Sequence, residues 1–106
     1  MSDKKDTFET YPPSVRAAFY ELEVVLPVVR RVHGDAHPEL EEVGRLVGEL
    51  KTGLSEGAGR GELRGILDEL RKVTGGYAIP ADACGGYQKE CRLLSQIDAG
   101  IRSVTE

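Results

Sequence analysis

Apolar residues recur every three or four positions in four separate segments of this chain, and this spacing limits what the chain can fold into. It places apolar side chains on one face of an α-helix, whereas a half-buried strand needs polar and apolar residues to alternate. The four apolar stripes are Val15, Phe19, Leu22, Leu26 and Val29; Leu40, Val43, Leu46, Val47, Leu50 and Leu54; Leu63, Ile66, Leu67, Leu70 and Val73; and Cys84, Tyr87, Cys91, Leu94, Ile97, Ile101 and Val104. The pattern predicts four amphipathic helices and no strand.

Prolines and glycines mark where these helices begin and end. Pro13 fits the first turn of a helix, where its missing N–H costs little, and Gly34 fits a C-cap. Gly75 ends the third stripe, and the fourth helix is expected to start near Ala81, or later because the glycines at 85–86 weaken that turn. With three short connections, the pattern predicts an all-α fold, a short up-down-up-down four-helix bundle.

Length and charge narrow the classes of protein further. The 106 residues suffice for one domain, which we place at residues 11–106 behind a disordered tail at residues 1–10. A net charge of −4 argues against a nucleic-acid binder. The longest apolar run, residues 24–29, is far shorter than the roughly 20 residues that span a bilayer, and the polar first residues predict no signal peptide. We therefore expect a cytoplasmic protein that binds neither nucleic acid nor a membrane.

The two cysteines, Cys84 and Cys91, are both placed on the predicted fourth helix. There they would lie about 10 Å apart along the axis, which is too far for a disulfide. Cys84 is either a reactive thiol at a helix N-terminus or a buried residue of the apolar stripe, and we favour the second interpretation. No pairing of a nucleophile with a base stands out, so we predict no catalytic residue and no enzyme.

The chain has two histidines, His33 and His37, and both lie in the turn between the first two stripes. With Asp35 between them, they are the best candidates for metal ligands, although a metal site needs three or four protein ligands. Further donors are expected nearby: Glu39, Asp82 and Cys84. We favour a structural role, with His33 at a helix C-terminus, where a cation is favoured, and His37 as a turn residue. A weak metal site on His33, His37 and Asp35 is the alternative.

Two blocks of sequence resemble the hemerythrin-like proteins, and most closely the bacterial branch associated with repair of iron–sulfur clusters. The first block covers about residues 11–54, and the second runs from about residue 60 to the C-terminus. Their centres are Arg31-Val32-His33-Gly34-Asp35, Val73-Thr74-Gly75-Gly76-Tyr77 and Pro80-Ala81-Asp82-Ala83-Cys84. The resemblance implies a four-helix bundle and, in the family, a di-iron centre that serves the repair of iron–sulfur clusters damaged by nitric oxide or oxidants.

Matched position by position, the ligands of that di-iron centre are missing here. Pro12, Arg60 and Val104 stand where the family has histidines. The histidine and glutamate of its second helix fall in a stretch that residues 55–59 replace, and its last glutamate would lie beyond Glu106. The resemblance therefore implies a hemerythrin-like bundle that holds no cofactor.

The missing ligands all belong to one end of the family's bundle, which we call the cropped end. The histidine turn is at the other end, because Pro12 and His33 are separated by about 31 Å of helix. Cropping is expected to expose the ends of the four apolar stripes, namely Val15, Leu54, Leu63 and Ile101. An exposed apolar patch is typical of an interaction site.

The missing di-iron ligands lead to two alternative functions for the chain. We predict a degenerate hemerythrin-like domain that serves as an interaction or regulatory module and binds a second copy or another protein through the cropped end. The alternative is a residual iron-binding protein linked to nitric oxide or oxidative stress and to iron–sulfur cluster repair. It also stays open whether the chain is one piece of a longer protein.

Overall fold

A computed structural model describes residues 11–105 of the chain. The four apolar stripes form α1 (Pro13–His33), α2 (Glu39–Glu56), α3 (Arg60–Thr74) and α4 (Gly85–Thr105). No strand occurs between residues 11 and 105, so the predicted all-α class is confirmed. The predicted disordered tail, residues 1–10, lies outside the described residues. None of the helices in the described range is long and apolar enough to cross a membrane.

The helices pack mainly as two pairs, α1 with α4 and α2 with α3. Near the start of α1, Val15 lies against Gly100, which is close to the end of α4. At the other end of this pair, Val29 of α1 lies beside Gly86 of α4. In the second pair, Gly53 near the end of α2 approaches Leu63 near the start of α3. A glycine therefore lies at a tight contact between the two helices of each pair.

The apolar stripes fill two neighbouring clusters. The larger one contains residues of all four helices, and the smaller one consists of Val29, Leu40, Tyr87 and Cys91. Among the residues expected in the stripes, Cys84 and Val104 are exposed and the others are buried or partly buried. The smaller cluster lies under the histidine turn, and it supports the polar residues described below.

The cropped end is closed, which contradicts the expectation that it exposes apolar side chains. Val15, Leu54, Leu63 and Ile101 are 3%, 0%, 1% and 0% exposed. One reason is the tight α2–α3 connection, in which Gly57 takes a left-handed φ of 72°. The Ala58 N–H then donates to the Gly53 carbonyl oxygen at 2.8 Å. Tyr11, 2% exposed, also packs into the larger cluster ahead of α1.

The link between α3 and α4 contains three successive residues with positive φ, Gly75, Gly76 and Tyr77, at 64°, 79° and 64°. A non-glycine residue is uncommon there. Tyr77 is held because its N–H donates to Thr74 Oγ1 at 2.9 Å and its hydroxyl donates to Asp98 Oδ2 at 2.6 Å. The chain turns again after this point, so α4 begins at Gly85 and not at Ala81.

Candidate functional site

The histidine turn and the α3–α4 link meet at one end of the molecule. His33, the last residue of α1, places Nε2 at 3.1 Å from Cys84 Sγ. His37 places Nε2 at 3.0 Å from both carboxylate oxygens of Asp82 and Nδ1 at 3.1 Å from Glu39 Oε2. We call these five residues the histidine cluster. All five belong to the candidate metal ligands predicted from the sequence, and the structure brings them together.

Asp35, the third member of the weak metal site considered above, is exposed and takes no part in the contacts of the histidine cluster. The rings of His33 and His37 lie 6.4 Å apart between centroids. Between residues 11 and 105, no group of three or more His, Cys, Asp or Glu side chains is arranged to hold a metal ion.

His37 is surrounded by negative charge. Hydrogen bonds to Asp82 and Glu39 raise its pKa above the usual value, and His37 in turn lowers the pKa of Asp82. Ionised carboxylates only accept hydrogen bonds, so an imidazole that meets one at each ring nitrogen donates from both when protonated. When protonated, His37 therefore joins the start of α2 to the α3–α4 link.

Tyr87 forms the floor of the histidine cluster. It is 5% exposed, and its ring lies edge-on to those of His33 and His37, with centroids 5.4 Å and 5.2 Å away. Its hydroxyl donates to Glu39 Oε2 at 3.5 Å, and burial raises the pKa of that hydroxyl. The cluster is therefore polar toward solvent and aromatic toward the core.

Cys84 is exposed, so the expectation of a buried structural cysteine was wrong. The reason is the late start of α4, which leaves residue 84 just before the helix and outside its stripe. Its Sγ accepts the Tyr87 N–H at 3.5 Å, while its carbonyl oxygen accepts the Gln88 N–H at 2.9 Å. Cys91, by contrast, is buried as expected, and burial raises the pKa of its thiol to about 11.

A cavity of about 50 Å³ lies beneath the cluster, between the start of α2, the α3–α4 link and α4. Glu90 lines it, is 1% exposed, and has Oε1 without a hydrogen-bond partner in the described part of the chain. Burial raises the pKa of Glu90 to about 7, although Arg30 acts in the opposite direction. Glu90 is not predicted from the sequence, because the helical period is traced through apolar side chains only. The available signal was its spacing of three from Tyr87 and four from Leu94.

The outward face of α1 carries a row of apolar side chains. Tyr20, Val24, Val28 and Val32 are 56%, 72%, 46% and 63% exposed. Their spacing of four aligns them along one side of the helix. We call this row the outer stripe. The outer stripe is not predicted from the sequence, because the buried stripe of the same helix already accounts for the helical period.

Comparisons with family models, curated proteins and solved structures find no match to this chain. The resemblance to hemerythrin-like proteins therefore depends on the two sequence blocks alone. It stays a prediction.

Proposed function

We propose that this chain is a cytoplasmic interaction or regulatory module, a degenerate hemerythrin-like bundle without a di-iron site. It has no catalytic activity, and it binds a protein partner through the outer stripe of α1. The observation that carries the proposal is the exposure of four aligned apolar side chains on one helix. Surface apolar residues are common singly, but a contiguous row is typical of an interaction site.

Two structural features support a hemerythrin-like, up-down-up-down arrangement. The start of α1 lies against the end of α4, and the end of α2 lies against the start of α3. The two turn motifs that carry the resemblance, around His33 and around Cys84, are in contact at one end of the molecule. An up-and-down bundle brings the first and third connections to the same end in this way.

The binding surface is proposed on α1 because the cropped end offers little apolar area. Its four expected contact residues are buried in the core of the single chain. A partner that covers the outer stripe would instead remove three valines that are 46% to 72% exposed from water. Each Å² of apolar surface buried in this way contributes about 25 cal/mol to the free energy of binding.

Site-specific photo-crosslinking in cells tests this proposal. A benzophenone amino acid at Val24 of the outer stripe is expected to give an adduct of discrete mass. The same probe at Glu69, an exposed position of α3, is the control and is expected to give none. Absence of an adduct at Val24, or equal labelling at both positions, would contradict an interaction through the outer stripe.

The second candidate function is residual iron binding at the histidine cluster. Its support is the approach of His33 to Cys84 and of His37 to Asp82. Metal analysis of protein purified from iron-supplemented cells separates the two functions. Near-stoichiometric iron with oxo-bridge absorption would establish a metalloprotein, whereas metal-free protein of high helicity would favour the interaction module.

A further inference from the structure

We propose that Cys84 is a site of reversible modification by small disulfides, with His33 as the base that takes the thiol proton. The inference goes beyond the proposed function, because it assigns a chemical site to the chain and uses no residue of the outer stripe. A cysteine alone does not make such a site. What distinguishes Cys84 is an imidazole nitrogen at hydrogen-bond distance from its sulfur, the arrangement that activates a nucleophilic thiol.

The pair is assembled from two distant parts of the chain. His33 is the last residue of α1, Cys84 directly precedes α4, and 51 positions separate them. His33 Nε2 lies 3.1 Å from Cys84 Sγ, and in the tautomer with its proton on Nδ1 it accepts the hydrogen bond of the thiol. The ring of Tyr87 lies edge-on to that of His33 and supports its orientation. A nucleophile, a base and a group that orients the base are thus in contact.

The sulfur of Cys84 is open to a reagent, because the side chain is exposed and glycines follow it. A Cβ at Gly85 would meet nothing within 4 Å, and a Cβ at Gly86 would lie 3.8 Å from Cys84 Sγ. The first two residues of α4 therefore place no side chain beside the sulfur. A disulfide needs this space, since the attacking sulfur must reach one of two substituted sulfur atoms.

The reaction is a thiol–disulfide exchange, and its atoms balance without a further reactant. His33 Nε2 takes the thiol proton while Cys84 Sγ attacks one sulfur of the disulfide. The new S–S bond forms as the old one breaks, and the departing thiolate receives the proton from His33. Cys84 is oxidised to a mixed disulfide, and one half of the reagent is reduced to a thiol. Attack by another thiol reverses the step.

Cys91 provides a comparison within the same chain. It is 5% exposed, its thiol donates to the Ala78 carbonyl oxygen at 3.7 Å, and burial raises the pKa of this thiol to about 11. A thiol that is both buried and protonated is a poor nucleophile. The structure therefore assigns the modification to Cys84 and not to Cys91.

Mass spectrometry of the intact chain tests the site with hydroxyethyl disulfide, a small neutral reagent. One adduct is expected on the folded protein. Cys91→Ser is expected to leave its rate of formation unchanged, and Cys84→Ser to abolish it. In the Cys91→Ser chain, Cys84 is expected to react about tenfold faster when folded than in urea, where His33 no longer contacts it. A folded rate no higher than the unfolded rate, or reaction at Cys91 first, would overturn the proposal.

His33→Ala tests the base. We expect this substitution to slow the reaction of Cys84 by about tenfold, and free imidazole in solution to restore part of the rate because it supplies the missing base. His37→Ala is the matched control, since His37 contacts Asp82 and Glu39, and it is expected to show neither effect. Circular dichroism of both variants checks that helicity is retained. A loss that imidazole does not restore would show that His33 does not act as the base.

Metal analysis of the same samples separates this inference from residual iron binding. Metal-free protein is expected to react at the full rate, and a chelator is expected to change nothing. Bound iron that blocks Cys84 until a chelator removes it would overturn the modification site and favour the second candidate function. The photo-crosslinking result at Val24 is independent of these rates, so the interaction module and the modification site can fail separately.

Discussion

Two buried carboxylates on α4, Asp98 and Glu90, illustrate how neighbours decide the state of a charged group. Asp98 is 2% exposed and accepts hydrogen bonds from Arg71 at 2.9 Å and 3.0 Å. It also accepts from Tyr77 and from Arg102, each at 2.6 Å. Burial alone would raise the pKa of Asp98, but these donors hold it below the usual value. Among the described residues, Glu90 Oε1 has no hydrogen-bond partner, and burial raises the pKa of this carboxyl.

Replacing Glu90 by Gln is expected to stabilise the protein at pH 8 and to have little effect at pH 5. The pKa of Glu90 rises from 4.5 to about 7 in the folded state, so between these values the unfolded chain releases a proton that the folded chain retains. Stability therefore falls as the pH rises through this window, by about 3 kcal/mol in total, and Gln avoids the loss. Urea unfolding at both pH values measures the difference. An equal effect of the substitution at pH 5 and pH 8 would contradict it.

Replacing Asp98 by Asn is expected to cost about 3 kcal/mol of unfolding free energy at pH 7, because it leaves Arg71 and Arg102 without their buried counter-charge. Asp68 provides the control, since its carboxylate accepts from Arg102 at 2.7 Å but is 67% exposed. Asp68→Asn is expected to cost less than about 1 kcal/mol. Similar losses for the two variants in urea unfolding would show that burial does not distinguish them.

At the scale of the helices, α1 and α4 pack tightly at Gly100. A Cβ there would collide with Val15 Cγ2, so Gly100→Ala is expected to destabilise the protein by about 1 to 3 kcal/mol despite the better helix propensity of alanine. Gly65 in α3 is the matched control, because nothing lies within 4 Å of a Cβ at that position. Gly65→Ala is expected to stabilise by up to about 1 kcal/mol. Thermal unfolding of both variants checks the opposite signs, and stabilisation by both would refute the close packing.

The elements differ in how far they could be predicted from sequence. The spacing of apolar residues predicts all four helices, because it identifies the face of each helix that packs in the core. Gly75 predicts the end of α3. The exposure of Cys84 and the closure of the cropped end depend on turn geometry, which the period does not describe. Glu90 and the outer stripe depend on which side chains lie opposite them, and residues distant in the sequence decide that.

At the scale of the whole molecule, the titrating groups combine into one pH profile. Glu90 makes stability fall from about pH 4.5 to pH 7, as argued above. His37 acts in the same direction at higher pH. Because its pKa is raised above 6.5 in the folded state, its contribution is complete below that value and is lost as the pH rises through the folded pKa. The lowered pKa values of Asp82 and Asp98 limit stability on the acid side.

The melting temperature is therefore expected to be highest near about pH 5 and to decline toward pH 9. The decline has two separable parts, because the contribution of Glu90 changes between about pH 4.5 and pH 7, whereas that of His37 is lost only above pH 6.5. Glu90→Gln is expected to flatten the lower part of the decline, and His37→Gln the upper part. Asp82→Asn should remove part of the contribution of His37, so the coupling in a His37–Asp82 double-mutant cycle is expected to be larger at pH 6 than at pH 9. A flat profile in the unsubstituted protein would show that neither Glu90 nor His37 controls its stability. Coupling that does not change with pH would contradict the charged His37–Asp82 pair alone.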